Sequence, residues 1–91
     1  MLLVNMQISL YFPYAVSLKG RRKIINSIKE RLKKFNLSIL DVSREYIKEG
    51  ELAIAYLAFN QKSVEQIEQS IEKILDRFIG EIEYEISKEV L

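Results

Sequence analysis

Residues Val4–Leu10, with the sequence V-N-M-Q-I-S-L, alternate strictly between apolar and polar side chains. This period of two is typical of a β-strand with one buried face, and it places the even-numbered residues toward a core. Pro13 follows shortly after Leu10. Because proline has no backbone N–H to donate to a neighbouring strand, it marks the end of this element. We therefore predict a first strand that leads into a loop at Pro13.

The segment after this loop has the spacing of an amphipathic helix. Ser17 is a suitable N-cap, since its hydroxyl can accept a hydrogen bond from a free amide of the first turn. Apolar side chains then recur on one side of the helical wheel, which predicts a first helix from Leu18 to about Phe35. They are Leu18, Ile24, Ile25, Ile28, Leu32 and Phe35.

Two strands are predicted next. Leu37–Tyr46 is rich in apolar and β-branched residues without helical spacing, which favours a strand. Leu52–Phe59 is apolar on both faces, as is typical of a strand inside a sheet. Lys48–Gly50 lies between them and ends in a glycine, so we expect a turn there.

A second helix and a last strand complete the pattern. Asn60 and Ser63 are both suitable N-caps for apolar residues at helical spacing up to Phe78, and Gly80 is a natural stop. Glu81–Val90 alternates between charged and apolar residues. This order predicts an α+β, ferredoxin-like βαββαβ sandwich, one domain over residues 1–91, with an antiparallel sheet ordered 4-1-3-2 and both helices on one face.

The composition is that of an ordinary globular protein, with 48% hydrophobic and 30% charged residues. The chain has no cysteine, which indicates a reducing compartment. No apolar run approaches the roughly 20 residues that a membrane helix needs, and the first residues lack the pattern of a signal peptide. We expect a cytoplasmic protein that does not bind membranes.

Residue types that support catalysis are scarce. Without His or Cys, the chain lacks the usual nucleophile–base pairs and the main zinc ligands. The loop at residues 12–16 has neither the Gly nor the Arg with which ferredoxin-like acylphosphatases cradle a phosphate. Glu81, Glu83 and Glu85 are expected to form the solvated face of an edge strand rather than a cation site. We expect neither an enzyme nor a bound metal or cofactor.

Charge is segregated along the chain. Residues 17–34 hold eight basic residues and one acidic residue, a formal charge of +7, while the rest of the chain carries six basic and twelve acidic residues, or −6. The first helical turn is basic although the helix dipole favours acidic residues there. Residues that conflict with a local structural preference often belong to a functional site. We predict phosphate contacts at this helix, with an aromatic residue of the preceding loop stacking beside them. The candidate site residues are Tyr14, Lys19, Arg21, Arg22, Lys23, Lys29 and Lys33.

Alternatives remain open for several of these residues. One flank of the first helix can pair with an acidic flank of the second helix, in which case the charge segregation is internal pairing. The first flank consists of Arg22, Lys29 and Lys33, and the second of Glu68, Glu72 and Asp76. Tyr14 can instead cover the edge of the core. Arg21 lies on the same side of the helical wheel as the apolar stripe, and we expect it to project toward the Pro13 loop.

Three segments resemble the YlxP-like proteins, a family of small bacterial proteins of ferredoxin-like fold and uncharacterised function. Residues 10–23, LYFPYAVSLKGRRK, are similar to the strand, proline turn and S-L-K-x-[KR]-R helix start of the family, and Phe35–Val42 and Gly50–Ala55 are similar to its second and third strands. The chain departs from the family at Tyr14, where the family has Gly, and at Asp41, where it has Glu. The resemblance implies a gene neighbourhood of translation and ribosome-maturation factors, which favours RNA or a ribosome-associated factor as a partner.

Two functions therefore follow from the sequence. The first is binding of RNA or a ribosome-associated partner through phosphate contacts from the basic first helix. The second is a homodimeric protein-interaction module without nucleic-acid binding, suggested by the apolar third strand and the neutral exposed face of the first strand. A third and weaker hypothesis is a regulatory domain that binds a small ligand. RNA binding on the open sheet face is not expected, because the last strand adds three glutamates to that surface.

Overall fold

The computed structural model describes all 91 residues, Met1–Leu91. The elements follow in the order β1 (Leu2–Tyr11), α1 (Leu18–Leu32), β2 (Ser38–Asp41), β3 (Glu49–Ala58), α2 (Gln61–Asp76) and β4 (Glu83–Val90). The four strands form one antiparallel sheet ordered β2-β3-β1-β4. This is the predicted order 4-1-3-2 counted from the opposite edge, so the ferredoxin-like architecture is confirmed.

The alternation that predicted β1 also determines which face of the sheet is covered. Along β1 the even-numbered side chains are buried under the helices and the odd-numbered ones are exposed, and β3 repeats this pattern over most of its length. The core is one cluster of 18 buried hydrophobic residues contributed by β1, β3, both helices and the turns beside them. One face of the sheet is therefore open.

The second strand is much shorter than predicted. β2 ends at Asp41, whereas the sequence pattern indicated a strand as far as Tyr46. The ladder stops here because side chains replace backbone partners: the Asp41 carboxylate accepts from the Ser43 amide at 2.9 Å, and the Ser43 hydroxyl accepts from the Glu51 amide at 2.9 Å. Residues 42–48 form a loop, and β3 begins at Glu49, inside the predicted turn.

The helix ends show which capping predictions were right. Ser17 caps α1 by accepting from the Gly20 amide at 3.0 Å. Asn60 caps α2, and its side chain accepts from both the amide and the hydroxyl of Ser63. Gly80 is not the stop that the sequence predicted, because α2 ends at Asp76 with Arg77 as its C-cap; its φ of 93° instead serves the turn between α2 and β4. α1 ends at Leu32, three residues earlier than predicted, and Phe35 packs against the core from the following turn.

Gly50 permits a close approach between β3, the loop after β1 and α1. A Cβ atom at this position would lie 2.9 Å from the Phe12 ring and 3.1 Å from Ile25. Neither helix is long and apolar enough to cross a membrane.

Candidate nucleic-acid interface

Five basic side chains line one side of α1, and we call this set the basic surface. Four of the five are exposed and Lys29 is half-buried. They follow the helix over four turns because their spacing keeps them within about 120° of one another on a wheel of 3.6 residues per turn. No acidic residue lies in the first turn of α1. The set consists of Lys19, Arg22, Lys23, Lys29 and Lys33.

Most of the basic surface has no acidic partner. The structure contains two salt bridges, Lys33–Glu30 at 2.7 Å within α1 and Lys88–Glu68 between β4 and α2. The hydrogen bond and the charge of Lys33 lower the pKa of Glu30, but this pair is fully exposed and is worth little. The other four cations of the basic surface lie in no ion pair.

The acidic flank of α2 is directed at β4 and not at α1. Glu68 pairs with Lys88, and Asp76 accepts a hydrogen bond from the Tyr84 hydroxyl at 2.6 Å. That bond, with partial burial and the Asp76 charge, raises the pKa of Tyr84 to about 12. Internal pairing between the two helical flanks is therefore wrong as an explanation of the charge segregation.

The opposite side of α1 contacts the second helix. Arg31 lies with its guanidinium carbon 5.0 Å from the centre of the Phe78 ring, which follows α2. At 100° per residue, Arg31 lies about 180° from Arg22 on the helical wheel. Arg22 and its neighbours on the basic surface consequently point away from α2, toward solvent.

The structure corrects the prediction for Arg21. Its side chain is 6% exposed, and its Nη1 atom donates to the carbonyl oxygens of Arg44 and Glu49 at 2.8 and 2.9 Å and also to that of Tyr46. It reaches the 42–48 loop and not the Pro13 loop. Two of these carbonyls belong to the loop and the third to the first residue of β3, and one guanidinium donates to all three. Arg21 is thus a structural clamp and is not available to a phosphate.

The loop before α1 presents Tyr14 to solvent. Phe12 and Ala15 close a turn through a backbone hydrogen bond of 3.2 Å, and Lys48 donates to the Pro13 carbonyl at 2.7 Å. Tyr14, at the tip of this turn, is 77% exposed and does not cover the core. Its ring lies at the same end of the molecule as the first turn of α1. Gly20 has a structural role there, since a Cβ atom would lie 3.3 Å from the Ser17 capping hydroxyl.

The open face of the sheet changes character from one end to the other. At one end leucines from β1 and β3 and the leucine that follows β4 lie in a row, and at the other end glutamates flank Ser9 and Tyr11 of β1. The cross-strand rows are Leu91/Leu3/Leu57, Glu89/Asn5/Ala55/Ser38, Ser87/Gln7/Ala53/Leu40, Glu85/Ser9/Glu51 and Glu83/Tyr11/Glu49. Sequence reasoning placed the β4 glutamates here but missed Glu49, Arg44 and Tyr46, because it assigned them to a turn and to β2. No group of three or more carboxylates gathers closely enough to hold a metal ion.

Comparison with solved structures supports the fold. A de novo designed protein with a ferredoxin fold, LFR1 1, is similar to this chain with a TM-score of 0.59 and 18% identity over 99% of this chain and 85% of that one. The designed protein Foldit4 is similar with a TM-score of 0.57 and 16% identity, covering 97% of this chain and 94% of that one. The designed protein Ferredog-Diesel is similar with a TM-score of 0.55 and 19% identity, covering 96% of this chain and 83% of that one.

At these identities the designed proteins show the shared architecture and carry no functional information. None of the curated proteins compared with the chain matches it. A family model does match, and it extends from the second residue of β1 almost to the end of β4, over residues 3–88. The chain therefore belongs to the family described as Protein of unknown function (DUF503).

Proposed function

We propose that this protein is a cytoplasmic, YlxP-like binding protein, and not an enzyme, that contacts RNA or a ribosome-associated partner through the basic surface of α1. The observation that carries the proposal is the direction of the two charged flanks. Glu68 and Asp76 of α2 are bonded to β4, while Lys19, Arg22 and Lys23 lie in no ion pair. A set of cations without counter-charges is suited to a polyanion.

The geometry of the basic surface favours a nucleic-acid backbone over a single small anion. The cations are spread from Lys19 to Lys33, a helical rise of about 21 Å at 1.5 Å per residue. A small anion would need them to converge, whereas a chain of phosphates is contacted one cation at a time. Tyr14 adds an exposed ring near the first turn, where it can stack on an unpaired base.

The opposite layer of the molecule is unsuitable for RNA. Glu49, Glu51, Glu83 and Glu85 surround the exposed end of β1, so phosphates would be repelled from the face that ferredoxin-like RNA-binding modules normally use. The proposal therefore assigns RNA to the helical layer alone.

The test is binding of a fluorescein-labelled RNA hairpin, measured by anisotropy at two salt concentrations. We expect wild-type affinity to fall steeply with salt, because phosphate contacts release counterions. The double variant Arg22→Glu/Lys23→Glu should bind about tenfold or more weakly at the lower salt concentration and show a shallower salt dependence.

A matched control separates this surface from net charge. Lys62→Glu/Lys73→Glu reverses two exposed lysines of α2 and changes the net charge equally, so its RNA affinity should stay within about twofold of wild type. Equal weakening by both double variants would show that only net charge matters. Unchanged binding by Arg22→Glu/Lys23→Glu would contradict the proposed site directly.

A further inference from the structure

The open face of the sheet exposes apolar side chains that a second layer would normally cover. The helices cover the even-numbered side chains of β1, and no element of the chain covers the odd-numbered ones. Leu57 and Leu91 are 63% and 64% exposed on this face, and Leu3, which lies between them, is 44% exposed. Grouped apolar residues at a surface mark an interaction site more often than scattered ones do. We call this region the leucine end.

The other end of the same face is a cleft with uncompensated negative charge. A cavity of about 570 Å³ opens there between the strands and the 42–48 loop, and its walls include Tyr11 and Tyr46. Four glutamates line it, and none of them lies in a salt bridge. Arg44 is the one basic residue of the lining. The four carboxylates of this acidic cleft belong to Glu49, Glu51, Glu83 and Glu85.

Protection of a sheet edge explains only half of these charges. Glutamates on an edge strand deter pairing with other sheets, and this accounts for Glu83 and Glu85 on β4. It does not account for Glu49 and Glu51, because this part of β3 is not an open edge: β1 flanks it on one side, and the 42–48 loop, which is hydrogen-bonded to the backbone of both glutamates, flanks it on the other. Acidic residues from two strands therefore converge on β1 without a structural requirement.

We propose that the open face docks a basic amphipathic helix of a protein partner. The apolar residues of that helix lie on the leucine end, and its arginines enter the acidic cleft. There the carboxylates and the ring faces of Tyr11 and Tyr46 provide the two kinds of contact that guanidinium groups make best. Leu3 and Tyr11 are about 27 Å apart along β1, the length of a helix of roughly 18 residues.

A second copy of this chain suits the face less well. Face-to-face pairing would remove four glutamates of each copy from water, with only Arg44 of each copy to compensate them, and unpaired buried charge is strongly unfavourable. The basic surface of α1 lies on the opposite layer, so its insertion into the cleft of another copy would produce an open-ended chain of molecules. A cationic partner compensates the four carboxylates, so its binding neither buries unpaired charge nor produces an open-ended chain of molecules. This inference is independent of RNA binding by α1.

The experiment uses the full chain and a synthetic 18-residue helical peptide that carries leucines on one half of a face and arginines on the other half. A matched peptide has glutamate in place of each arginine. Chemical shifts of ¹⁵N-labelled protein locate the contact, and fluorescence anisotropy measures the affinity. We expect shifts confined to the open-face residues of β1, β3 and β4 and to the 42–48 loop.

Two double variants with the same change in net charge separate the cleft from general electrostatics. Glu51→Gln/Glu85→Gln should weaken binding of the arginine peptide about tenfold. Glu65→Gln/Glu72→Gln, on α2, should stay within about twofold. Equal weakening by both variants, or equal affinity for the glutamate peptide, would overturn the proposal. So would a lack of binding, or sedimentation showing that the free protein already self-associates through this face.

Discussion

At the residue scale, Arg21 shows how one side chain can leave a candidate binding site and become part of the scaffold. It lies on the apolar stripe of α1, and its charge faces carbonyl oxygens of the 42–48 loop and of the start of β3 instead of a carboxylate. Its Nε atom is buried without a hydrogen-bond partner. The loop that this residue holds carries Arg44 and Tyr46, which line the acidic cleft. Arg21 thus connects the start of α1 to the shape of the opposite layer.

Removing this clamp should destabilise the fold. We expect Arg21→Met to lower the free energy of unfolding by about 2–4 kcal/mol, because several hydrogen bonds from a charged donor are lost and the Arg44 and Glu49 carbonyls lose their donor. Arg22→Met, one residue along on the exposed side, should change it by less than about 0.5 kcal/mol. Urea denaturation of the two variants measures the difference. Equal stability of the two variants would contradict the structural role of Arg21.

The hydrogen bond between Tyr84 and Asp76 predicts a pH dependence at alkaline pH. It raises the pKa of Tyr84 from 10.0 to about 12 in the folded protein. Because the folded state holds the phenolic proton more tightly, the stabilisation is fully present below the unfolded pKa and is lost as pH rises from about 10 to about 12. The stability advantage of wild type over Tyr84→Phe should therefore shrink across this range. Urea denaturation at several pH values measures it, and Tyr14→Phe, at an exposed tyrosine, should show no such trend.

At the element scale, the start of β3 depends on close packing beneath it. Gly50 lies where the Phe12 ring and Ile25 of α1 approach the strand backbone. This approach joins β1, α1 and β3 at the end of the molecule that carries the Pro13 loop. It also explains why the strand begins at Glu49, inside a segment whose glycine indicated a turn.

The same substitution at two glycines tests this packing. Gly50→Ala should destabilise the protein by about 1–3 kcal/mol, since the new methyl group overlaps an aromatic ring that is itself fully buried. Gly20→Ala should change stability by less than about 1 kcal/mol, because better helix propensity offsets the tighter contact with the Ser17 hydroxyl. Thermal or urea unfolding compares the variants. A Gly50→Ala protein as stable as Gly20→Ala would show that Phe12 moves aside easily.

At the scale of the whole molecule, opposite charges occupy opposite layers. The net charge is only +1, yet α1 in the helical layer presents unpaired cations and the open sheet face presents carboxylates. Such a molecule can hold a polyanion on one side and a basic protein on the other. Charges on two packed layers lie farther apart than the Debye length of about 8 Å at physiological salt, so the two faces should act independently.

Exchanging the probes between the two sets of variants tests this independence. Glu51→Gln/Glu85→Gln should leave affinity for the RNA hairpin within about twofold of wild type at physiological salt. Arg22→Glu/Lys23→Glu should in the same way leave affinity for the arginine peptide unchanged within about twofold. Anisotropy titrations of both proteins with both probes provide the measurement. A large effect of either variant on the other probe would indicate one continuous binding surface.

The sequence by itself determined the element order, the buried faces of β1 and β4 and the N-cap of α1. These follow from periodicity and from short-range capping chemistry, which act within a few residues. Alternation in Val4–Leu10 was enough to separate the covered face of β1 from the open one. The basic character of α1 was also readable from the residues alone.

Only the tertiary structure decided where the charges are directed and which of them are free. The direction of Glu68 and Asp76 depends on how α2 packs on β4, and the burial of Arg21 depends on carbonyls more than twenty residues away along the chain. The end of β2 at Asp41 likewise depends on a side-chain bond from Ser43 to β3. Periodicity describes one element at a time, whereas these features require two elements to meet. The chain therefore specified a basic helix, and its packing on the sheet left the Lys19, Arg22 and Lys23 side of that helix unpaired.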